Sequence, residues 1–144
     1  MLLFLDRMNI RKIMKSFRRA CMGISIIVEG KNDRSKLHKL LNDQIRIHCT
    51  YGTPGSNQLQ RLSLELRHDE VFIFTDNDPS GRKIRALLSD LFPDAIHMYT
   101  RRGYSGVEGT PNEYLVLQIE KAGLEEYLCD IATNPASEWL KDEF

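Results

Sequence analysis

Apolar residues in this chain fall into short continuous runs separated by stretches with helical spacing. The first run, Ile24 to Val28, is β-branched and broken only by Ser25, as expected for a strand covered on both faces, and it ends at Glu29-Gly30. Asn32 to Leu41 reads as a helix with Leu37, Leu40 and Leu41 on one stripe, stopped by Asn42-Asp43. A second strand is predicted over Ile45 to Cys49, and its glycines and proline make Thr50 to Ser56 a loop. Asn57 to Arg67 follows as a helix burying Leu59, Leu62 and Leu66. Val71 to Phe74 is apolar throughout and is predicted as the central strand; it runs into Thr75-Asp76-Asn77-Asp78-Pro79-Ser80-Gly81. From Pro79 or Ser80 to Leu91 the spacing turns Ile84, Leu87, Leu88 and Leu91 inward and Arg82, Lys83 and Arg85 outward, and Pro93 closes the helix. A fourth strand is predicted over Ala95 to Tyr99, a Gly-rich loop over Arg101 to Thr110, and a helix from Pro111 to about Ala122. This alternation predicts an α/β fold of about four parallel strands sandwiched by helices, with further helix in Leu124 to Phe144.

Composition narrows the class. The chain has 144 residues, 42% hydrophobic and 28% charged, which fits one soluble globular domain with a single core. Its apolar runs are far shorter than the roughly 20 residues that cross a bilayer, so no membrane association is expected. Cys21, Cys49 and Cys129 are odd in number and widely spaced, which argues against a disulfide framework or structural zinc and fits a reducing cytoplasm. The overall charge of zero hides an asymmetry. Residues 1–22 carry six basic side chains against Asp6 alone, and the remainder carries 14 basic against 19 acidic. The basic extension 1–22 is expected to be poorly ordered and dispensable, with Met22 as an alternative start, rather than an arm for nucleic acid or an anionic membrane. The net negative remainder argues against tight non-specific nucleic-acid binding. The folded domain is placed at 23–123, with 124–144 as a helical tail.

Candidate chemistry gathers at strand ends, where open parallel sheets bind their ligands. Glu29 follows the first strand, and Asp76 and Asp78 follow the third. In extended backbone, Asp76 and Asp78 point to the same side and suit one hard cation, Mg²⁺ or Mn²⁺, which would hold both ionised. Gly30 permits a sharp turn, Lys31 offers charge to a phosphate, Gly81 permits close approach, and both helix N-termini present free N–H groups. Each feature has a plainer explanation: Asp78 is a natural N-cap before Pro79, and a strand-end Glu is often merely solvated. His38, His48, His68 and His97 are scattered over different elements and are read as surface or packing residues, and Trp139 as a packing residue of the tail.

Two stretches together are more specific. Ile26-Ile27-Val28-Glu29-Gly30-Lys31-Asn32-Asp33, followed about 45 residues on by Phe72-Ile73-Phe74-Thr75-Asp76-Asn77-Asp78-Pro79-Ser80-Gly81-Arg82-Lys83-Ile84-Arg85, resembles the two motifs of the Toprim domain shared by topoisomerases, bacterial primases and certain nucleases. Cys49-Thr50-Tyr51-Gly52-Thr53 and Phe92 to Tyr99 resemble small stand-alone Toprim proteins. Gly106-Val107-Glu108 is similar to a segment of the ribonuclease that matures 5S ribosomal RNA. The resemblance spans about residues 23 to 123.

The resemblance implies that Glu29 is a general acid or base and metal-site residue, that Asp76 and Asp78 are the Mg²⁺-binding pair, and that Asp33 is an acidic position common in primase-like and ribonuclease-like members. It implies metal-assisted attack on a phosphodiester with no covalent nucleophile, since no tyrosine-bearing topoisomerase domain accompanies it. The expected function is a Mg²⁺-dependent nuclease or RNA-processing enzyme acting on RNA or DNA. The alternative is a nucleic-acid-binding or partner-protein-binding module with little activity alone. A small-molecule phosphatase of the haloacid-dehalogenase type fits poorly, because its Asp pair follows the first strand and here the pair follows the third. Lys31, Arg34, Arg82, Lys83, Arg85, Arg101 and Arg102 are candidates to neutralise phosphates, and Tyr104 to stack on a base.

Overall fold

The computed structural model describes residues 9–14, 17, 22–100 and 102–129. Four strands, β1 (Ile24–Val28), β2 (Ile45–Cys49), β3 (Glu70–Phe74) and β4 (Ile96–Met98), form one sheet in the order β2-β1-β3-β4, with every pairing parallel. The helices between and after them are α1 (Lys31–Leu40), α2 (Ser56–Glu65), α3 (Pro79–Leu91) and α4 (Asn112–Lys121).

Strand alternation sorts the side chains into two cores. Ile24, Ile26, Val28, Ile45, Ile47, Phe72, Phe74 and Met98 pack with Leu37 and Leu40 of α1 and Leu115 and Ile119 of α4. On the opposite face Ile27, Val71 and Ile73 pack with Leu62 of α2, Leu66, and Ile84 and Leu88 of α3. The sheet is thus a central layer covered twice, which is why β1 and β3 are buried along nearly their whole length.

The connections from β1 and β3 leave on opposite faces, α1 on one and α3 on the other, while β1 and β3 lie side by side. Their carboxyl ends therefore open a crevice at the point where strand order reverses. That crevice positions everything described below.

Some expectations need adjustment. The fourth strand is limited to Ile96–Met98. Among the described residues after α4 there is a 3₁₀ turn, Glu125–Tyr127, followed by an antiparallel bridge from Leu128 to Leu41; the rest of the expected helical tail, residues 130–144 with Trp139, lies outside the described residues. Leu124, Tyr127 and Leu128 belong to the α1/α4 core, so the core continues past residue 123. Of the basic extension, most lies outside the described residues. Residues 9–14 are helical, with Ile10 and Ile13 exposed. No helix among the described residues is long and apolar enough to cross a membrane.

Candidate active site at the carboxyl ends of β1 and β3

The turns after β1 and β3 are tied directly to each other. Glu29 Oε1 accepts the backbone N–H of Asp76 at 2.9 Å, so the carboxylate beyond one strand fixes the backbone beyond its neighbour. Asp76 Oδ1 in turn accepts the Val107 N–H at 3.2 Å, from the loop leading to α4. Asp78 is the N-cap of α3, its Oδ1 accepting the Gly81 N–H at 2.6 Å, with Pro79 in the first turn. Asp78 is thus both helix cap and exposed carboxylate, while Glu29 and Asp76 are half-buried.

Two glycines make this packing possible. A Cβ on Gly81 would overlap the Asp76 carbonyl oxygen and stand 2.7 Å from Glu29 Oε1. Gly106 has φ +67°, and a Cβ there would overlap the Asp76 carboxylate. The first is a close approach of helix to strand end; the second is a left-handed turn pressed onto a carboxylate.

The first turn and a half of α1 grips the loop that carries Gly106 and Val107. Asp33, buried, accepts the Gly30 N–H with Oδ2 and the Glu108 N–H with Oδ1, both at 3.1 Å. Lys36 Nζ donates to the Glu108 carbonyl at 2.9 Å and to the Thr110 carbonyl, and Asn32 Nδ2 donates to Glu108 Oε1 at 3.1 Å. Burial lowers the Lys36 pKa, and the nearby Glu108 and Asp33 charges oppose that shift. Asp33 therefore faces inward, holding the loop that holds Asp76.

The site is electrostatically tense. Burial raises the Glu29 pKa; the Asp76 N–H works against the rise, and the charges of Asp76, Asp78 and Asp33 add to it. Burial likewise raises Asp76, opposed by the Val107 N–H and reinforced by Asp78 and Glu108, and raises Asp33, reinforced by Asp76. Among the described residues, no three His, Cys, Asp or Glu side chains form a closed metal cage. The donor set still suits magnesium, which takes one or two carboxylates and leaves its other positions to water and substrate phosphate. Glu29 and Asp76 each commit one oxygen to a backbone N–H, and no hydrogen bond among the described residues engages the other.

Around these carboxylates, Lys31 and Arg82 are exposed in the first turns of α1 and α3, and Lys83 is exposed beside Arg82. Arg102 and Tyr104 line a cleft of about 330 Å³ that also includes Asn77, Asp78 and Gly106. Arg101 lies outside the described residues. Arg85 corrects the sequence reading: it is buried rather than outward, donating to the carbonyls of Ile73 (3.3 Å), Thr75 (3.1 Å) and Met98 (2.6 Å), with its guanidinium 4.2 Å from the Tyr99 ring centroid. One turn from Gly81 and from Leu88, it sits on the helix face that meets the strand ends, where free carbonyls need a donor. It is therefore unavailable to a phosphate.

Sequence reasoning missed the Lys36 clamp and the roles of Gly106 and the Val107 N–H, although the Gly106-Val107-Glu108 stretch was a signal that this loop mattered.

Residues 25–103 match the Toprim domain family. An uncharacterized protein of Bacillus subtilis, YusF, is 37% identical over 99 residues, covering 69% of this chain and 68% of that one. Ribonuclease M5 of Bacillus anthracis is 28% identical over 117 residues (74% of this chain, 63% of the ribonuclease), and that of Lactococcus lactis 29% over 123 (83% and 55%). The chain thus spans little more than half the length of the ribonucleases. A solved small TOPRIM domain protein from Bacillus stearothermophilus superposes with a TM-score of 0.70 at 31% identity, over 78% of this chain and 93% of that one.

Proposed function

Because the chain belongs to the Toprim family, we propose that it carries out divalent-metal-dependent phosphodiester chemistry on nucleic acid, as a nuclease or RNA-processing enzyme. The observation that carries this reading is the convergence of Glu29 and Asp76 at the strand-order reversal, joined by the Asp76 N–H and left with oxygens for a cation. Asp76 and Asp78 would hold Mg²⁺ or Mn²⁺, with Glu29 beside them. Bound there, the ion would polarise a phosphoryl oxygen and stabilise the charge that develops in the transition state.

The remaining work falls to the chain's own residues. The exposed Lys31 and Arg82, at the N-termini of α1 and α3, orient the phosphate together with the free N–H groups and dipoles of those helices. Glu29, whose pKa burial and neighbouring carboxylates raise, is suited to exchange a proton with the attacking or leaving oxygen through its second oxygen. Arg102 and Tyr104 contact the strand beyond the cut from the cleft beside Asp78. The relatives named Ribonuclease M5 favour RNA as substrate.

The chain's reach over only part of those ribonucleases favours a second reading, in which it is a nucleic-acid-binding or partner-protein-binding module whose activity depends on a further domain or partner. One experiment separates the two: cleavage of structured RNA and of single- and double-stranded DNA by the purified chain in Mg²⁺ or Mn²⁺, beside Asp76→Asn and Glu29→Gln. Metal-dependent cleavage reduced at least 100-fold in both variants is expected. Binding without cleavage would favour the module, and cleavage equal in all three proteins would overturn the site.

A further inference from the structure

A second groove lies on the β2 side of the carboxylates, away from Arg102 and Tyr104. It has a volume of about 680 Å³, follows the outer edge of β2, and is lined by Arg34, Cys49, Tyr51, Asn57, Gln58 and Arg61 among others. Glu65 is its one acidic lining residue.

Tyr51 is unusual within it. Its φ is +55°, and it is the one non-glycine residue with positive φ among the described residues. A side chain with a Cβ adopts that conformation only when the surroundings enforce it. Here the Tyr51 N–H donates to the Glu29 carbonyl at 2.8 Å, the Thr50 N–H to the Val28 carbonyl at 3.0 Å, and Gln58 Nε2 to the Thr50 carbonyl at 3.1 Å. The loop is thereby fastened to the residue that bears the candidate catalytic carboxylate. Yet the residue so positioned is 65% exposed, on the wall of the groove. A tyrosine whose only task was to pack would not be held in water by a strained backbone.

The chemistry offered is a π face, two guanidinium groups and two side-chain amides within one groove. Those are the contacts of an unpaired nucleotide: a base for the ring, a phosphate for the arginines and polar edges for Asn57 and Gln58. A base inside a duplex presents no free face to the ring. We propose that this groove receives an unpaired nucleotide flanking the scissile phosphate, its base stacked on Tyr51 and its phosphate between Arg34 and Arg61. The inference rests on the nuclease reading and deepens it. The substrate class becomes a strand unpaired beside the cut, crossing the strand ends from the Tyr104 cleft to the Tyr51 groove.

The test compares a hairpin RNA carrying a three-nucleotide flank, with 2-aminopurine in the flank, against the same hairpin blunt, and a DNA hairpin of matched sequence. Binding is read by anisotropy and 2-aminopurine fluorescence in Ca²⁺, and cleavage separately in Mg²⁺. The proteins are the full chain, Tyr51→Phe, Tyr51→Gly, which the positive φ accommodates without strain, and Arg34→Ala/Arg61→Ala. The full chain and Tyr51→Phe are expected to bind the flanked hairpin about tenfold more tightly than the blunt one and to change the 2-aminopurine signal. Tyr51→Gly is expected to lose both effects, and the arginine pair to lose affinity with a shallower salt dependence. A preference for RNA over DNA would assign a further contact to the 2′-hydroxyl; equal binding would assign the groove to either strand chemistry. Equal binding of flanked and blunt RNA, an unchanged Tyr51→Gly, or no binding at all would overturn the subsite. Stacking without cleavage would uphold the subsite and sink the nuclease reading, whereas cleavage without stacking would do the reverse.

Discussion

Gly106 and Gly103 separate two costs that a glycine substitution usually mixes. Both have positive φ, but a Cβ at Gly103 meets nothing within 4 Å while one at Gly106 enters the Asp76 carboxylate. Gly103→Ala should cost only the backbone term, about 1 kcal/mol. Gly106→Ala should in addition weaken Mn²⁺ binding at least tenfold, as read by titration calorimetry beside a denaturant unfolding curve for each variant. Arg85 offers a second prediction at this scale. Replacing it by Met keeps the volume but leaves three strand-end carbonyls without their donor, so the fold should lose about 3 kcal/mol, measured by chemical denaturation. A residue that merely lined the rim would lose almost nothing.

Among the elements, α1 acts as a clamp on the loop that completes the site. In Lys36→Met the Glu108 and Thr110 carbonyls lose a charged donor, at a cost of about 1–3 kcal/mol. The Val107 amide, freed to sample open positions, should exchange its hydrogen at least tenfold faster, while amides in β1 change little. This clamp also marks where the sequence stops being legible. The strands Ile24–Val28 and Ile45–Cys49 and the helix Pro79–Leu91 stand within a residue of where periodicity and proline place them, because local pattern decides them. That Glu29 and Asp76 would meet was legible because strand ends in a parallel sheet must share one edge. Asp33 to Glu108 and Asp76 to Val107 are contacts across 75 and 31 positions, and no local pattern encodes which distant backbone N–H a carboxylate will find. Arg85 was misread for a related reason: helical spacing gives a face but not the carbonyls waiting on it.

Across the whole molecule, both edge strands carry a histidine whose charged form the fold disfavours. His48 on β2 is lowered by burial and by Arg46, and its Nε2 pairs with Ser25 Oγ at 3.1 Å. His97 on β4 is lowered by burial and by Arg85, and its Nδ1 faces the Arg85 Nη1 at 2.9 Å. Between the folded value and the ordinary 6.5, the unfolded chain therefore binds more protons than the native state. The stability tied to the neutral rings is fully present above pH 6.5 and is lost as pH falls through their lowered values. Unfolding curves between pH 7.5 and 5.5 should show that decline, and His97→Asn, which keeps an acceptor for Arg85 but cannot titrate, should flatten it; an unchanged slope would remove His97 from the account. At the same scale, the bridge from Leu41 to Leu128 is flanked by hydrogen bonds from the Asn42 N–H to the Tyr127 carbonyl and from the Cys129 N–H to the Leu40 carbonyl, both at 2.8 Å. It joins the end of the first helix to residues made nearly ninety positions later. During synthesis on the ribosome, the core under α1 therefore stays open on the side that Leu124, Tyr127 and Leu128 complete until those residues have emerged. The clamp on the loop around Gly106 belongs to that same face, so a nascent chain that reached only residue 123 would carry every candidate catalytic side chain and still lack the contacts that close the core beneath them.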